Sequence, residues 1–529
     1  MANVLGIDLG TTYSCVAYVN DFGQAEVLLN KEGKSTTPSV VVFPDGNDSQ
    51  VYVGDAAKNA FRIQPKNGVM CIKRSIVKDE CYHKPTKFPL GLTPTDISAY
   101  ILKKLVDDAN AALGRQKKPI TNVVITVPAD FGNDAKLRTA QAAEQAGLNL
   151  LQMVNEPTAA AIAYGIRRTQ PQTVLVYDLG GGTFDATILQ VRAGEIAVIA
   201  SNGDRFCGGY DWDARIALKI LEEYNRRFHT DFSLPITEDE VLAAELKIQK
   251  MRASLLLEAE EIKKMLTDRR SMTTSWFFQE DGHGLSDPPF EITREVFEEE
   301  TVDLLDHTID VVNEVLEAAK KKGISQIDKW LLVGGSSRMP QVAARLKEEF
   351  NCNPALTDPD QCVAKGAAVL AESLNTKTID NGNEGGKQPD IRIKDVCSKT
   401  YGLGIINDEV LNMIFKNTPI PYTYTRPFFT VDDNQTGMAT EIYESDATEK
   451  KIPMCYATCI YKGAHEFYGP KPKGYEVMTT FYLDESGILH VSRSAADGST
   501  SKEQVQIKGI ISEAEMKARQ QQVKKTLFK

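Results

Sequence analysis

The sequence predicts an α/β protein with two related lobes around a cleft, followed by an all-β sandwich and a short C-terminal helix. Three observations lead there. Over residues 1–375, apolar runs of strand length alternate with helical patterns, as α/β architectures do. One device occurs twice: Leu5-Gly6-Ile7-Asp8-Leu9-Gly10-Thr11-Thr12-Tyr13, and Tyr177-Asp178-Leu179-Gly180-Gly181-Gly182-Thr183-Phe184-Asp185. From about Ile391 to Ile510 the chain changes to short alternating runs such as Thr479-Thr480-Phe481-Tyr482-Leu483, separated by Pro, Gly and Asp turns; this is the pattern of a sandwich.

The elements follow in order. Val174-Leu175-Val176 reads as a buried strand that opens into three glycines. Bare backbone N–H groups there can close on an anion with no Cβ in the way. Asp178, at the strand end, could hold a hydrated Mg²⁺, and Thr183 offers a hydroxyl to a phosphate or an attacking water. Alone, each loop is a tight turn; the matched pair suggests a nucleotide held between two lobes. The usual P-loop is absent, because Leu28 stands where the earlier glycine of Gly33-Lys34-Ser35 is required, and no dinucleotide fingerprint opens a helix. A third strand-to-turn unit, Trp330-Leu331-Leu332-Val333-Gly334-Gly335-Ser336-Ser337-Arg338-Met339-Pro340, runs into a helix over about 341–350. Its glycines could pack under a flat base and Arg338 could stack on it.

Thr95–Leu113 has helical spacing behind Pro94, and Ile236–Leu266 reads as one long charged helix opened by Thr237 with Glu240 three residues on, a capping box. Asn375–Pro389 is polar, holds glycines 382, 385 and 386, and reads as a linker. Ser512–Lys529 reads as a short charged helix capped by Ser512, with Glu515 three residues on. The expected division is 1–375, a linker over 376–396, a sandwich over 397–511, and a helix over 512–529.

Composition excludes more than it selects. A chain of 529 residues suggests two or three domains. A net charge of −11 argues against nucleic acid or an anionic membrane as main partner. No apolar run approaches the ~20 residues of a membrane span. The first strand starts too near Met1 for a signal peptide. Nine scattered cysteines read as buried free thiols of a reducing cytosol, with a metal site at Cys455 and Cys459 improbable.

The motifs IDLGTTYS (7–14), VNEPTAAAIAYG (154–165), DLGGGTFD (178–185) and LVGGSSRMP (332–340) resemble, in order and spacing, those of the seventy-kilodalton heat-shock chaperones, the DnaK-type family. The resemblance runs to roughly residue 511. It implies an actin-like, two-lobed ATPase with ATP or ADP and Mg²⁺ as cofactors. By the family pattern Asp8 and Asp178 hold Mg²⁺ largely through water, and Gly10, Thr11, Thr12, Tyr13 and Gly180, Gly181, Gly182 and Thr183 meet the phosphates. Lys73 matches the catalytic lysine and Glu156 the glutamate near metal and water. Gly208 and Gly209 fall in the same site. Glu260, Lys263, Lys264 and Thr267 match one wall around the ribose and base, and Gly334, Gly335, Ser336, Arg338 and Asp360 match the other.

The second domain resembles the family's peptide-binding sandwich, which grips extended apolar segments by backbone hydrogen bonds and one side-chain pocket. Ile406 and Val431 fall at the arch over the peptide, and Leu403, Phe428 and Met438 at the pocket. Three departures stand out. The long helical lid is reduced to about eighteen residues. The linker reads Ile391-Arg392-Ile393-Lys394-Asp395-Val396 instead of a run of aliphatics, so Ile391 and Ile393 share one face. Gln152 replaces an arginine that meets J-domain co-chaperones. The resemblance implies a cytoplasmic ATP-dependent chaperone with unfolded polypeptides as clients, a nucleotide-exchange factor as partner, and a weakened J-domain contact. The alternatives are a phosphotransferase or sugar kinase on the same fold, and a non-cycling scaffold member.

Overall fold

The computed structural model describes residues 3–44, 50–77, 91–165, 170–192, 194–235, 238–379, 391–504 and 513–528. The repeated sequence device is a repeated structural one. Strand Val4–Asp8 turns back antiparallel into Tyr13–Val19 and lies parallel to Asn122–Val127, which is followed by Asn149–Asn155 at the sheet edge. Strand Gln172–Leu179 turns back antiparallel into Phe184–Arg192 and lies parallel to Lys329–Val333. Each Gly/Thr segment is the tight connection between the first two strands of its sheet.

Between the sheets lie helices Glu156–Gly165 and Cys362–Ile379, whose small apolar residues share a core with Val4, Val124, Val174 and Val333. The fit is close. A Cβ on Gly366 would sit 1.8 Å from the carbonyl oxygen of Ala159, and one on Gly6 would sit 2.0 Å from the Ala368 nitrogen. The outer face of the first sheet is covered by Pro94–Ala112 and Asn133–Gln145, and that of the second by Gly209–Phe228, Leu246–Asp268 and Val302–Lys321. Pro94 and the capping box of Thr93 with Asp96 start the first of these where the sequence expects a helix.

Residues 400–504 form a five-stranded and a four-stranded antiparallel sheet. The sheets share a core built from Leu403 and Ile442 on one side and Phe481 and Val491 on the other.

Four expectations change. The long helix 236–266 is two, Glu238–Ala243 and Leu246–Asp268, because Glu245 takes an extended backbone (φ −58, ψ 148); its Thr237 cap lies outside the described residues. The linker is not a loose segment at either described end. Helix Cys362–Ile379 runs into it, and Arg392–Val396 is a strand parallel to Glu195–Asp204. The C-terminal helix spans Glu513–Lys525, with Leu527–Phe528 paired parallel to Gln50–Val51, and Ser512 lies outside the described residues. Cys455 is exposed, not buried.

The linker strand is the seam between the two parts. Ile391 is buried and Ile393 half-buried against the inter-sheet core, while Arg392 and Lys394 face outward, Lys394 pairing with Glu195 at 2.8 Å. Burying each isoleucine contributes roughly 1.5–3 kcal/mol. Around it Asn155 donates to Asp395 at 3.1 Å, Lys399 meets Asp130 at 2.7 Å, and the Asn133 side chain accepts from the Leu489 N–H at 2.8 Å. The backbone N–H of Asn133 donates to Glu444 at 3.3 Å.

Burial pushes Glu444 up to about 7, against the pull of Lys399, and raises Asp130 and Asp395 as well. A carboxyl that binds its proton more tightly when docked favours docking at low pH and loses that advantage as pH rises from 4.5 through about 7. Lys136, lowered by burial in the same seam, acts in the opposite sense. Amide exchange of residues 392–396 is therefore expected to be slower at pH about 6 than at about 8 after correction for intrinsic rates, and Glu444→Gln should flatten that difference.

Candidate nucleotide site

The two Gly/Thr turns meet face to face at the centre of the first 379 residues. A Cβ on Gly181 would lie 1.8 Å from the Thr12 hydroxyl, and one on Gly182 would lie 2.2 Å from the Thr11 methyl. Glycine lets the second turn's backbone approach the threonine side chains of the first this closely. Gly208 and Gly209 close the same nest: Gly209 N donates to Gly180 O at 3.0 Å, and Tyr210 N to Gly181 O at 2.7 Å. Gly334 sits at φ 80 beside Asp178, in the left-handed region that favours glycine. Backbone from both lobes and the hydroxyls of Thr11, Thr12 and Thr183 thus come together at one place.

The acids collect at the floor. Asp178 and Asp185 are directly opposite in the ladder, and Asp8 accepts from Thr126 at 3.3 Å. Burial, reinforced by Glu156, pushes Asp8 up to about 7 and raises Asp178 and Asp185 strongly. Oδ2 of Asp185 is buried with no partner among the described residues. One cation answers them. Lys73, buried on the short helical turn Ile72–Ser75, donates to the Leu9 carbonyl at 2.6 Å and to Glu156, with the Phe131 ring 5.7 Å away. Several crowded carboxylates with one unpartnered oxygen suit a hydrated divalent cation. Among the described residues no three His, Cys, Asp or Glu side chains form a direct metal cage.

The neighbouring wall is a cleft of about 410 Å³ lined by Thr11, Tyr13, Lys58, Cys71, Tyr210 and Glu260, among others. Burial opposes ionisation of Glu260, but Lys58 and Lys264 hold it down at about 2. It also accepts from Tyr13 at 2.8 Å. Lys58 belongs to Asp55–Phe61 and Glu260 to Leu246–Asp268, so this pair spans the mouth between the lobes. Lys263 meets Asp213 and the Gly209 carbonyl, both at 2.7 Å. Thr267 bonds back to Lys263 O at 3.4 Å. Arg338 pairs with Asp360 at 2.5 Å, and a Cβ on Gly335 would lie 3.1 Å from Asp360. Ser336 is buried against Gly209.

Lys58, Arg74 and Tyr210 belong to this site and were not singled out from sequence. Arg74 donates to Gly182 O at 2.8 Å, pairs with Asp211, and lies over Tyr210. Only its position next to Lys73 hinted at a role.

The expected peptide residues lie in the second part. Leu403 is packed in the inter-sheet core, Phe428 lies at the edge of that core, and Met438 is half-buried. Ile406 is 62% and Val431 42% exposed at loop tips.

The family model described as Hsp70 protein matches residues 4–89 and 78–527. The chain is 36% identical over 509 residues to the chaperone protein DnaK of Thermotoga petrophila, covering 95% of this chain and 79% of the relative. It is 37% identical to that of Thermotoga neapolitana over the same shares, and 35% identical over 506 residues to that of Thermosipho africanus, covering 95% and 79%. With its facing phosphate turns, buried acids and packed pair of sheets, the chain belongs to the Hsp70 family.

Proposed function

We propose that this chain, an ATP-hydrolysing chaperone by family, works as an actin-like ATPase whose two lobes close on nucleotide and whose sandwich holds extended polypeptide. The observation that carries the proposal is the apposition of the two glycine-bared turns over buried carboxylates with Lys73 among them. Backbone N–H groups of Gly10–Tyr13 and Gly180–Thr183 take the phosphates. Asp8 and Asp178 would hold Mg²⁺, which would supply positive charge against the phosphates. Water forms the new bond to the terminal phosphorus as the bridging oxygen leaves with ADP. Lys73, fixed by Leu9 O and Glu156, offers its ammonium to the charge on the transferred group, and Glu156 keeps that lysine in place near the water. Lys263, Lys264, Thr267 and Glu260 face the ribose and base from one side, and Gly334, Gly335, Ser336, Arg338 and Asp360 from the other; opening of the Lys58–Glu260 contact would admit and release nucleotide.

In the sandwich, Ile406 and Val431 arch over a peptide whose side chain enters beside Phe428 and Met438, with Leu403 beneath. Unfolded polypeptides are the clients, and a nucleotide-exchange factor and a J-domain protein are the partners. A cytoplasmic setting suits the free thiols at Cys15, Cys71, Cys207, Cys352, Cys362, Cys397, Cys455 and Cys459. Neither nucleic acid nor membrane is proposed as a partner; no helix among the described residues is long and apolar enough to cross one. The peptide-gripping module leaves a phosphotransferase reading without an observation in its favour.

Lys73→Ala should leave nucleotide affinity nearly intact and lower single-turnover ATP hydrolysis by about 10²–10³, as loss of a preorganised charge does. Parent-like turnover would remove Lys73 from its role. Gln152 is half-buried on edge strand Asn149–Asn155, and offers a J-domain aspartate an amide where arginine would offer charge; Arg167 and Arg168, the nearby cations that could compensate, lie outside the described residues. Stimulation of the ATPase by a general J-protein should therefore be roughly 5- to 30-fold weaker in the parent than in Gln152→Arg, from ~1–2 kcal/mol of lost charge assistance. Equal stimulation of the two would refute this.

A further inference from the structure

Among the described residues, two cations of the first lobe cross the nucleotide cleft. Lys58 reaches Glu260 at the mouth, and Arg74 reaches the second Gly/Thr turn. Arg74 follows Lys73 on the short helical turn Ile72–Ser75, whose Ile72 is anchored in the core of the first lobe. Successive residues of a 3₁₀ turn point about 120° apart. Lys73 therefore goes to the Leu9 carbonyl and Glu156 at the floor, while Arg74 leaves the first lobe for the second.

The Nε of Arg74 donates to the Gly182 carbonyl at 2.8 Å, and its terminal nitrogens fork onto Asp211, Nη1 at 3.1 Å. The Tyr210 ring lies 5.2 Å from the guanidinium carbon and sets its plane, and Arg252 holds the Tyr210 hydroxyl. Asp211 also accepts from the Gly208 N–H at 2.8 Å. The three glycine carbonyls of the turn have donors of different origin. Those of Gly180 and Gly181 accept from the N–H groups of Gly209 and Tyr210 at 3.0 and 2.7 Å, at the start of a helix packed on the turn's own sheet. The carbonyl of Gly182 accepts from the other lobe. A peptide unit is planar and trans, so its C=O and N–H point in opposite directions. Holding the Gly182 carbonyl toward Arg74 turns the Thr183 N–H the other way, and that N–H has no hydrogen-bond partner among the described residues.

We propose that Arg74 is a positioning residue that completes the second phosphate turn only when the lobes are closed. The inference rests on the reading of Gly180–Thr183 as a phosphate cradle and names what sets its last N–H. With the lobes closed, Arg74 holds the Gly182 peptide so that the Thr183 N–H is presented to the terminal phosphate. With the lobes apart, Gly182 loses that donor while Gly180 and Gly181 keep theirs. Lysine cannot take its place: one ammonium supplies charge for Asp211 but lacks the planar fork that serves Asp211 and Gly182 together. Arg74 acts through the turn, and lobe closure and hydrolysis are coupled by it.

The test compares the full chain with Arg74→Gln and Arg74→Lys. The readouts are the unfolding midpoint, affinity for methylanthraniloyl-ADP, single-turnover ATP hydrolysis, and amide exchange of residues 179–184 with and without ATP. Arg74→Lys keeps the charge against Asp211, so it should melt close to the parent even where Arg74→Gln does not. Both variants are expected to bind the ADP probe within about threefold of the parent and to hydrolyse ATP roughly 10- to 100-fold more slowly, the cost of one charge-assisted hydrogen bond. Both should also lose the protection that ATP gives residues 179–184. Parent-like hydrolysis and protection in Arg74→Lys would show that charge alone matters and would overturn the proposal. The same behaviour in Arg74→Gln would overturn it as well, and either result leaves the nucleotide reading standing. Failure of the parent chain to bind the probe or to hydrolyse ATP would overturn both.

Discussion

The rest of the structure depends on one close contact: two strand-end turns, one from each sheet, touching through glycine. Atoms beyond Cα on Gly181 or Gly182 would occupy the space of Thr12 or Thr11. That contact sets where the lobes meet. It also carries Asp8 and Asp178, each at or near the end of its strand, to the same floor, where burial raises both. A site so loaded with carboxylates and supplied with one buried lysine is electrostatically incomplete by itself. The proposed nucleotide and its cation would complete it.

From that contact a continuous sheet leads outward. Gln172–Leu179 pairs with Phe184–Arg192, that strand with Glu195–Asp204, and the latter with the linker strand Arg392–Val396, which pairs in turn with Pro419–Ile420. The strand that carries the Gly180–Thr183 turn and the short strand Pro419–Ile420, which follows the first hairpin of the sandwich, thus belong to one hydrogen-bonded sheet. The seam is held on one side by the buried Ile391 and on the other by buried polar contacts such as Asn155 with Asp395. Polar contacts of this kind are specific in geometry and modest in net energy.

The C-terminal helix adds a third tie. Arg519 is buried against Asp96, in the first turn of helix Pro94–Ala112, and Val523 enters the core under that helix. Asp96 therefore serves two helices at once: it completes the capping box of its own and anchors the other. A carboxylate near a helix N-terminus is favoured by the macrodipole, so the local and the long-range uses of the residue reinforce each other.

The sequence by itself determined the alternation of strands and helices, the repeated Gly/Thr device, the apolar face of the linker and the change to all-β structure after residue 391. Each is a local property: a period of two or 3.6, a glycine where backbone must be bare, a proline and capping box at a helix start. The break at Glu245 was not legible, because the helical periodicity continues through it and only backbone conformation shows the interruption. Lys58, Arg74 and Tyr210 were not legible either. Beyond Arg74's place next to Lys73, the chain around them gave no pointer, and they join the cleft because Asp55–Phe61, Ile72–Ser75 and Gly209–Phe228 fold to its mouth. Arg426, Thr479 and Arg493 look in sequence like ordinary alternation on three separate strands. Strand register decided that these side chains fall opposite one another, and register is set by pairing across the sheet, which no single strand contains.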